Sequence, residues 1–173
     1  PISALVGQRE IMERGGLNHR DRRVFLLSST YGAERSALAA AIHTVKLLQD
    51  GSLIDGNAEV GSLLIRTVNE AASKNGFAGR ICGDGLPVSP RISTLNEIGE
   101  PDLRLRTNFM SELIMQGLLV NPNFFSPAAC HRGKVVQDSV EAIRAAIEQL
   151  AVGEKSGVHA ASESIRPVFR AYN

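Results

Sequence analysis

Three absences narrow the reading of this sequence before any motif is considered. It has no apolar run approaching the roughly 20 residues that a membrane-spanning helix needs, and its first residues do not follow the charged-then-apolar order of a secretory signal. It has no excess of charge. The 19 basic and 18 acidic residues leave a net charge of +1 with the signs interspersed, so there is no basic stripe to hold nucleic acid or anionic lipid. It has only two cysteines, Cys82 and Cys130, far apart and without a nearby histidine pair. That spacing suggests neither a disulfide framework nor a zinc site, and both are expected as small buried hydrophobes. A cytoplasmic protein without nucleic-acid, membrane or metal partners is the expectation.

What remains is an ordinary globular composition. With 43% hydrophobic and 21% charged residues over 173 positions, the chain can bury a core and is not a disordered tail. It opens at Pro1 inside an apolar run, with no methionine and no element start signal before it, and reads as a fragment.

Residues 2–6 suit a short buried strand ended by Gly7, followed by a polar loop to Arg23 that carries Gly15, Gly16 and Asn18. Residues 24–27 make a second buried strand. A helix is expected over about 34–49, with Leu38, Ile42, Val45 and Leu48 on one face and a small face of Ala37, Ala40 and Ala41. A second runs over about 54–74 and stops at Asn75-Gly76. Residues 77–82 and 88–95 read as two strands of a small sheet. A third helix starts with Asp102 as its N-cap and ends before Gly117. Residues 118–120 are a further strand candidate, and 121–134 form a loop too long for a mere connector. The last helix is expected to open at Asp138 with Glu141 in a capping box and to stop at Gly153. The tail, 154–173, is expected to pack loosely.

Chemistry is concentrated where residues 24–27 deliver the chain into Ser28-Ser29-Thr30-Tyr31-Gly32 before a helix. Backbone N–H groups at a helix start, with hydroxyls beside them, suit an anion such as phosphate. On pattern alone, the same hydroxyls read first as N-caps.

Pro1 to Gly7 with Arg9 to Met12, then Val24 to Glu34 followed by Ala37-Leu38-Ala39-Ala40-Ala41, resemble class III pyridoxal-phosphate (PLP) aminotransferases, closest to the glutamate-1-semialdehyde aminomutase type. The first stretch is similar to the one that follows the family's Schiff-base lysine. The second is similar to its Ser/Thr-Thr-x-Gly-x-Glu/Asn segment and the Ala-rich helix that links large and small domains. Weaker similarity runs through Gly117-Leu118-Leu119, Phe125-Ser126-Pro127, the helix at Asp138 and Phe169-Arg170. The resemblance implies an α/β fold, the C-terminal portion of a fold-type I PLP-dependent transferase. It divides into a large-domain remnant with the interdomain helix (1–50), a small α/β domain (51–153) and a tail (154–173).

The family also implies roles. Thr30 matches the threonine that crosses a dimer interface to bind the PLP phosphate of the neighbouring subunit, with Ser29 a second member of that cradle. Several short charge-assisted hydrogen bonds suit a dianion. Glu34 stands where many members have asparagine, which leaves its role open. The loop 121–133 is similar to the segment approaching the substrate side of the cofactor. There His131 offers proton handling and Arg132 a grip on a carboxylate, against the alternative of a solvated surface pair. His19 and His159 read as exposed, and His43 as a packed or interfacial residue.

No catalytic residue is expected within these residues. Lys46, Lys74, Lys134 and Lys155 are the four lysines, and none stands in the family's lysine context, which should end just upstream of Pro1. The resemblance therefore implies a parent aminotransferase or aminomutase that moves an amino group between small molecules and forms a homodimer with shared sites. The chain by itself is expected to be inactive. A non-catalytic dimerisation or interaction domain derived from the family is the alternative, and an unrelated α/β binding domain a third. The Ala-rich helix and strands without sheet partners are expected to promote self-association.

Overall fold

The computed structural model describes residues 6–15, 19–22, 34–121, 124–128, 130–156 and 164. The chain divides into two compact units, 1–50 and 51–173. The expected strands 2–6 and 24–27 fall wholly or largely outside the described residues.

In the first unit, the expected polar loop after Gly7 contains a short helix, α1 (Arg9–Met12), continued by a 3-10 turn (Glu13–Gly15). The Gln8 carbonyl accepts from the N–H groups of Ile11 and Met12, each at 3.0 Å, and Arg9 pairs with Glu13 one turn on at 3.6 Å. Local hydrogen bonding thus closes a turn where composition suggested only loop. Helix α2 (Arg35–Leu48) occupies the expected span, and none of its residues is buried.

The second unit is built on α3 (Ser52–Lys74), β1 (Ile81–Leu86), β2 (Ser89–Thr94), α4 (Leu103–Met115) and α5 (Lys134–Ser156). Helix α3 packs against both strands and α5, while α4 packs against α5 and β2. Apolar residues at helical spacing make this possible: Leu64, Val68, Ala71 and Ala72 from α3, Leu105, Phe109 and Leu113 from α4, and Ile143, Ala146, Ile147 and Leu150 from α5 are all buried. Each fully buried large side chain contributes about 1.5–3 kcal/mol.

Helix α3 ends in a Schellman cap. Gly76 takes φ 84°, and the Phe77 N–H returns to the Ala72 carbonyl at 2.8 Å. Phe77 is thereby buried, and the Arg80 and Ile81 N–H groups both bond to its carbonyl. This turn delays β1 to Ile81, four residues later than expected. The hairpin is antiparallel, with Ile81 opposite Thr94 and Leu86 opposite Ser89 across a turn at residues 87–88. Ile81, Gly83, Pro90, Ile92 and Thr94 lie on its buried face.

The hairpin approaches α3 unusually closely. A side chain at Gly61 would put its Cβ 1.7 Å from the Pro87 carbonyl oxygen, and one at Gly83 would stand 3.0 Å from the Ile65 carbonyl oxygen. Both glycines are required by contact rather than by backbone conformation.

Asp102 caps α4 as expected, accepting from the Leu105 N–H at 2.8 Å. Gly117 (φ 82°) ends the helix with a second Schellman pattern, Leu118 N–H to Leu113 carbonyl at 2.8 Å. Residues 118–120 are not a strand. The outer edge of β2 is taken instead by residues 124–125, through a bridge from Phe124 to Arg91 and a bond from Phe125 N–H to the Pro90 carbonyl at 3.0 Å.

Helix α5 begins at Lys134, four residues before the expected Asp138 cap. Gly133 breaks the loop, its carbonyl accepts from Gln137, and Asp138 is an interior residue that accepts from Lys134 at 2.7 and 2.8 Å. The helix also passes through Gly153. Glu154, expected in a loose tail, forms a two-bond pair with Arg80 at 3.0 and 3.2 Å, and the Arg80 guanidinium lies 5.4 Å from the Phe77 ring centroid.

Neither cysteine is buried. Cys82 alternates with inward Ile81 and Gly83 on β1 and is half-exposed, whereas Cys130 lies exposed in the loop. No described helix is long and apolar enough to cross a membrane.

Candidate functional site

Ser29 and Thr30, the expected phosphate cradle, lie outside the described residues. The helix that follows it opens at Glu34, which is extended (φ −62°, ψ 123°) and accepts the Ser36 hydroxyl at 2.8 Å. His43 is exposed on that helix rather than packed, and His19 is half-buried rather than exposed.

His131 and Arg132 lie in the segment joining α4 to α5, and the fold determines how they are held. Gly117 turns the chain off α4, the Phe124–Phe125 pairing ties it to β2, and Phe125 sinks into the core. A compact turn then closes between Ala128 and His131. The His131 N–H donates to the Ala128 carbonyl at 2.8 Å, and the Ala128 N–H donates to His131 Nδ1 at 3.2 Å. Because Nδ1 acts as an acceptor, the neutral imidazole carries its proton on Nε2. In this geometry, His131 presents a donor rather than a free basic nitrogen.

Two neighbouring cavities share Val60, His131 and Val136. The first, about 300 Å³, is walled mainly by apolar side chains, among them Leu64, Leu118, Phe125 and Val135, with Asn121, Ser126 and Ser139 as polar members. The second, about 480 Å³, is walled on one side by α3, with Gly56, Asn57, Glu59, Leu63 and Arg66, and on the other by Ala128, Arg132, Gly133 and Gln137. Arg132 Nη2 lies 3.4 Å from the place a Cβ on Gly56 would take, so the guanidinium sits against α3 where that helix has no side chain. His131 and Arg132 thus face a common wall, and Arg132 is exposed while His131 is half-buried.

Sequence reading missed the α3 contribution. Gly56 and Asn57 are poor helix formers placed in the second turn of a 23-residue helix, and that local inconsistency is the signal that was available. The Asn57 amide oxygen is closed off from solvent without a hydrogen-bond partner. The lining of this cavity includes two cationic residues, Arg66 and Arg132, and one acidic residue, Glu59.

All four lysines are exposed and none lines either cavity. Lys134 is held protonated above its ordinary range by the hydrogen bond to Asp138 and then by the charge of that carboxylate. Among the described residues, no group of three or more His, Cys, Asp or Glu side chains gathers to hold a metal.

No protein-family profile matches the chain, and no curated protein matches it in sequence. Among solved structures, it is similar to the PLP internal aldimine form of the FumI protein of Sphingopyxis sp. MTA144, with a TM-score of 0.66 and 20% identity. The likeness covers 78% of this chain and 31% of the FumI chain. The chain therefore spans about a third of that protein, and at this identity the two are related in fold: the α/β arrangement described above is one that occurs within a PLP-containing protein.

Proposed function

We propose that these residues are the C-terminal part of a PLP-dependent aminotransferase or aminomutase of the class III, fold-type I kind. Residues 1–50 would end its large domain, and 51–153 would form its small one. The observation that carries this reading is the fold likeness to a PLP protein over 78% of the chain. The resemblance in residues 1–45 supports it independently, because it rests on sequence motifs rather than on backbone shape.

In this reading Lys46, Lys74, Lys134 and Lys155 do not hold the cofactor, because none stands in the sequence context that the family's Schiff-base lysine has. The lysine that would hold PLP belongs upstream of Pro1, and the chain alone is inactive. When bound, PLP supplies the electron sink for amino-group transfer. The contributions of this chain are binding ones. Thr30, through its hydroxyl and backbone N–H, and Ser29 beside it, hold the phosphate of the partner subunit's cofactor. His131 acts as a hydrogen-bond donor, and Arg132 grips the carboxylate of a small amino donor or acceptor. The working form is a cytoplasmic homodimer with shared sites.

The test uses the product of the whole gene. It should show the visible absorbance of lysine-bound PLP, and borohydride reduction followed by peptide mapping should place the label on a lysine just before Pro1. Thr30→Ala should weaken PLP binding by about tenfold to a hundredfold, the equivalent of losing a hydrogen bond to a charged group worth about 1.5–3 kcal/mol. Absence of any reducible band overturns the proposal.

A further inference from the structure

The geometry points to a binding site for a small carboxylate with a short apolar body in the 480 Å³ cavity between α3 and the 128–137 segment. The assignment extends the carboxylate role of Arg132 to α3, but it rests on the second unit alone and needs no cofactor.

The lining is divided by chemistry. Arg66 and Arg132 supply guanidinium groups from opposite walls, the planar donors that match a carboxylate. Val60, Leu63 and Val136 supply an apolar floor for a few carbon atoms, and Gln137 and His131 supply neutral polar groups at the margin. With Nδ1 accepting from the Ala128 N–H, the His131 ring has Nε2 left to donate. Glu59 is the only acidic member of the lining, so an anion meets net attraction.

One further observation favours a ligand over a solvated groove. Gly56 leaves the space against which the Arg132 guanidinium rests, although a glycine in the second turn of a long helix lowers its stability.

The experiment titrates the isotope-labelled 173-residue chain, free of PLP, with 3-methylbutanoate, and follows backbone amide signals. Saturable shifts are expected at Asn57, Arg66, His131, Arg132 and Gln137. The neutral amide of the same acid should bind at least tenfold more weakly, as should inorganic phosphate, which has the charge without the apolar body. Arg66→Gln and Gly56→Leu, checked for unchanged signal dispersion elsewhere, should each weaken 3-methylbutanoate at least fivefold. Equal binding of the neutral amide, equal binding of phosphate, or no saturable shift at these residues would each overturn the assignment. Failure here with reducible PLP in the whole protein removes only this site. Success here without PLP binding removes only the enzyme reading.

Discussion

The side-chain amide of Asn69 on α3 pairs with the backbone of Gly83 on β1 at two points. Its Nδ2 donates to the Gly83 carbonyl at 3.0 Å, and its Oδ1 accepts from the Gly83 N–H at 2.8 Å. A two-stranded sheet has two open edges, and at Gly83 this asparagine takes the place of a neighbouring strand. Gly83 can come close enough only because it lacks a side chain against Ile65.

Asn69→Ala should therefore lower stability by about 1–2 kcal/mol, because both Gly83 groups lose partners at a partly buried site. Asn69→Asp keeps the acceptor and loses the donor, and should fall between the two in urea unfolding. A change below about 0.5 kcal/mol for the alanine variant would mean that water serves this edge equally well.

Gly61→Ala sets two effects against each other. Alanine improves helix propensity by up to about 1 kcal/mol, but its Cβ would overlap the Pro87 carbonyl oxygen at 1.7 Å. Overpacking costs about 1–3 kcal/mol and occasionally more, and here the contact is with backbone rather than a flexible side chain, so the variant should be destabilised. Chemical denaturation shows the sign directly.

Asp102→Ala should cost about 1 kcal/mol through loss of the cap on α4, and Asp102→Asn should recover most of it. Thermal unfolding of the three proteins in parallel separates the cap from a general loss of charge.

The Lys134–Asp138 pair gives an alkaline dependence. Asp138 raises the Lys134 pKa above the ordinary 10.5, so its stabilising contribution is fully present below that value and is lost as pH climbs through the higher folded-state value. The group is fully exposed, so the effect should be small. It should appear as a decline in α5 stability above about pH 10.5 that is absent in Lys134→Met. Hydrogen exchange is too fast there, and helix content by circular dichroism is the appropriate measurement.

Cys130 should react with a thiol reagent before Cys82, since it is exposed in the loop while Cys82 is partly covered on β1. Mass mapping after brief labelling distinguishes the order.

Helices were readable wherever local signals agreed. The apolar spacing of α3, its Asn75-Gly76 stop, the Asp102 cap and the Gly117 stop all involve residues within about one turn of one another, and each appears where the pattern places it. Local signals misled where a distant partner or a nearby alternative won. The Asp138 capping pattern lost to a helix started after Gly133 and stabilised by Lys134, and the apolar stretch 118–120 lost the edge of β2 to Phe124 and Phe125. Of the two residues noted near the cofactor side, His131 and Arg132 do share a cavity wall, yet the neutral tautomer of His131 follows from a backbone N–H three residues away.

By itself, then, the sequence determined the extents of α3 and α4, the presence of a hairpin between them and of a last helix after them, because period, caps and glycine stops act over a few residues. Only the tertiary structure decided that Gly61 and Gly83 let the hairpin rest directly on α3, that Asn69 closes its edge, and that Gly56, Asn57 and Arg66 meet His131 and Arg132 around one cavity. Those pairings join residues 14 to 76 positions apart, and no local pattern encodes which distant surfaces will be brought together when the core is buried.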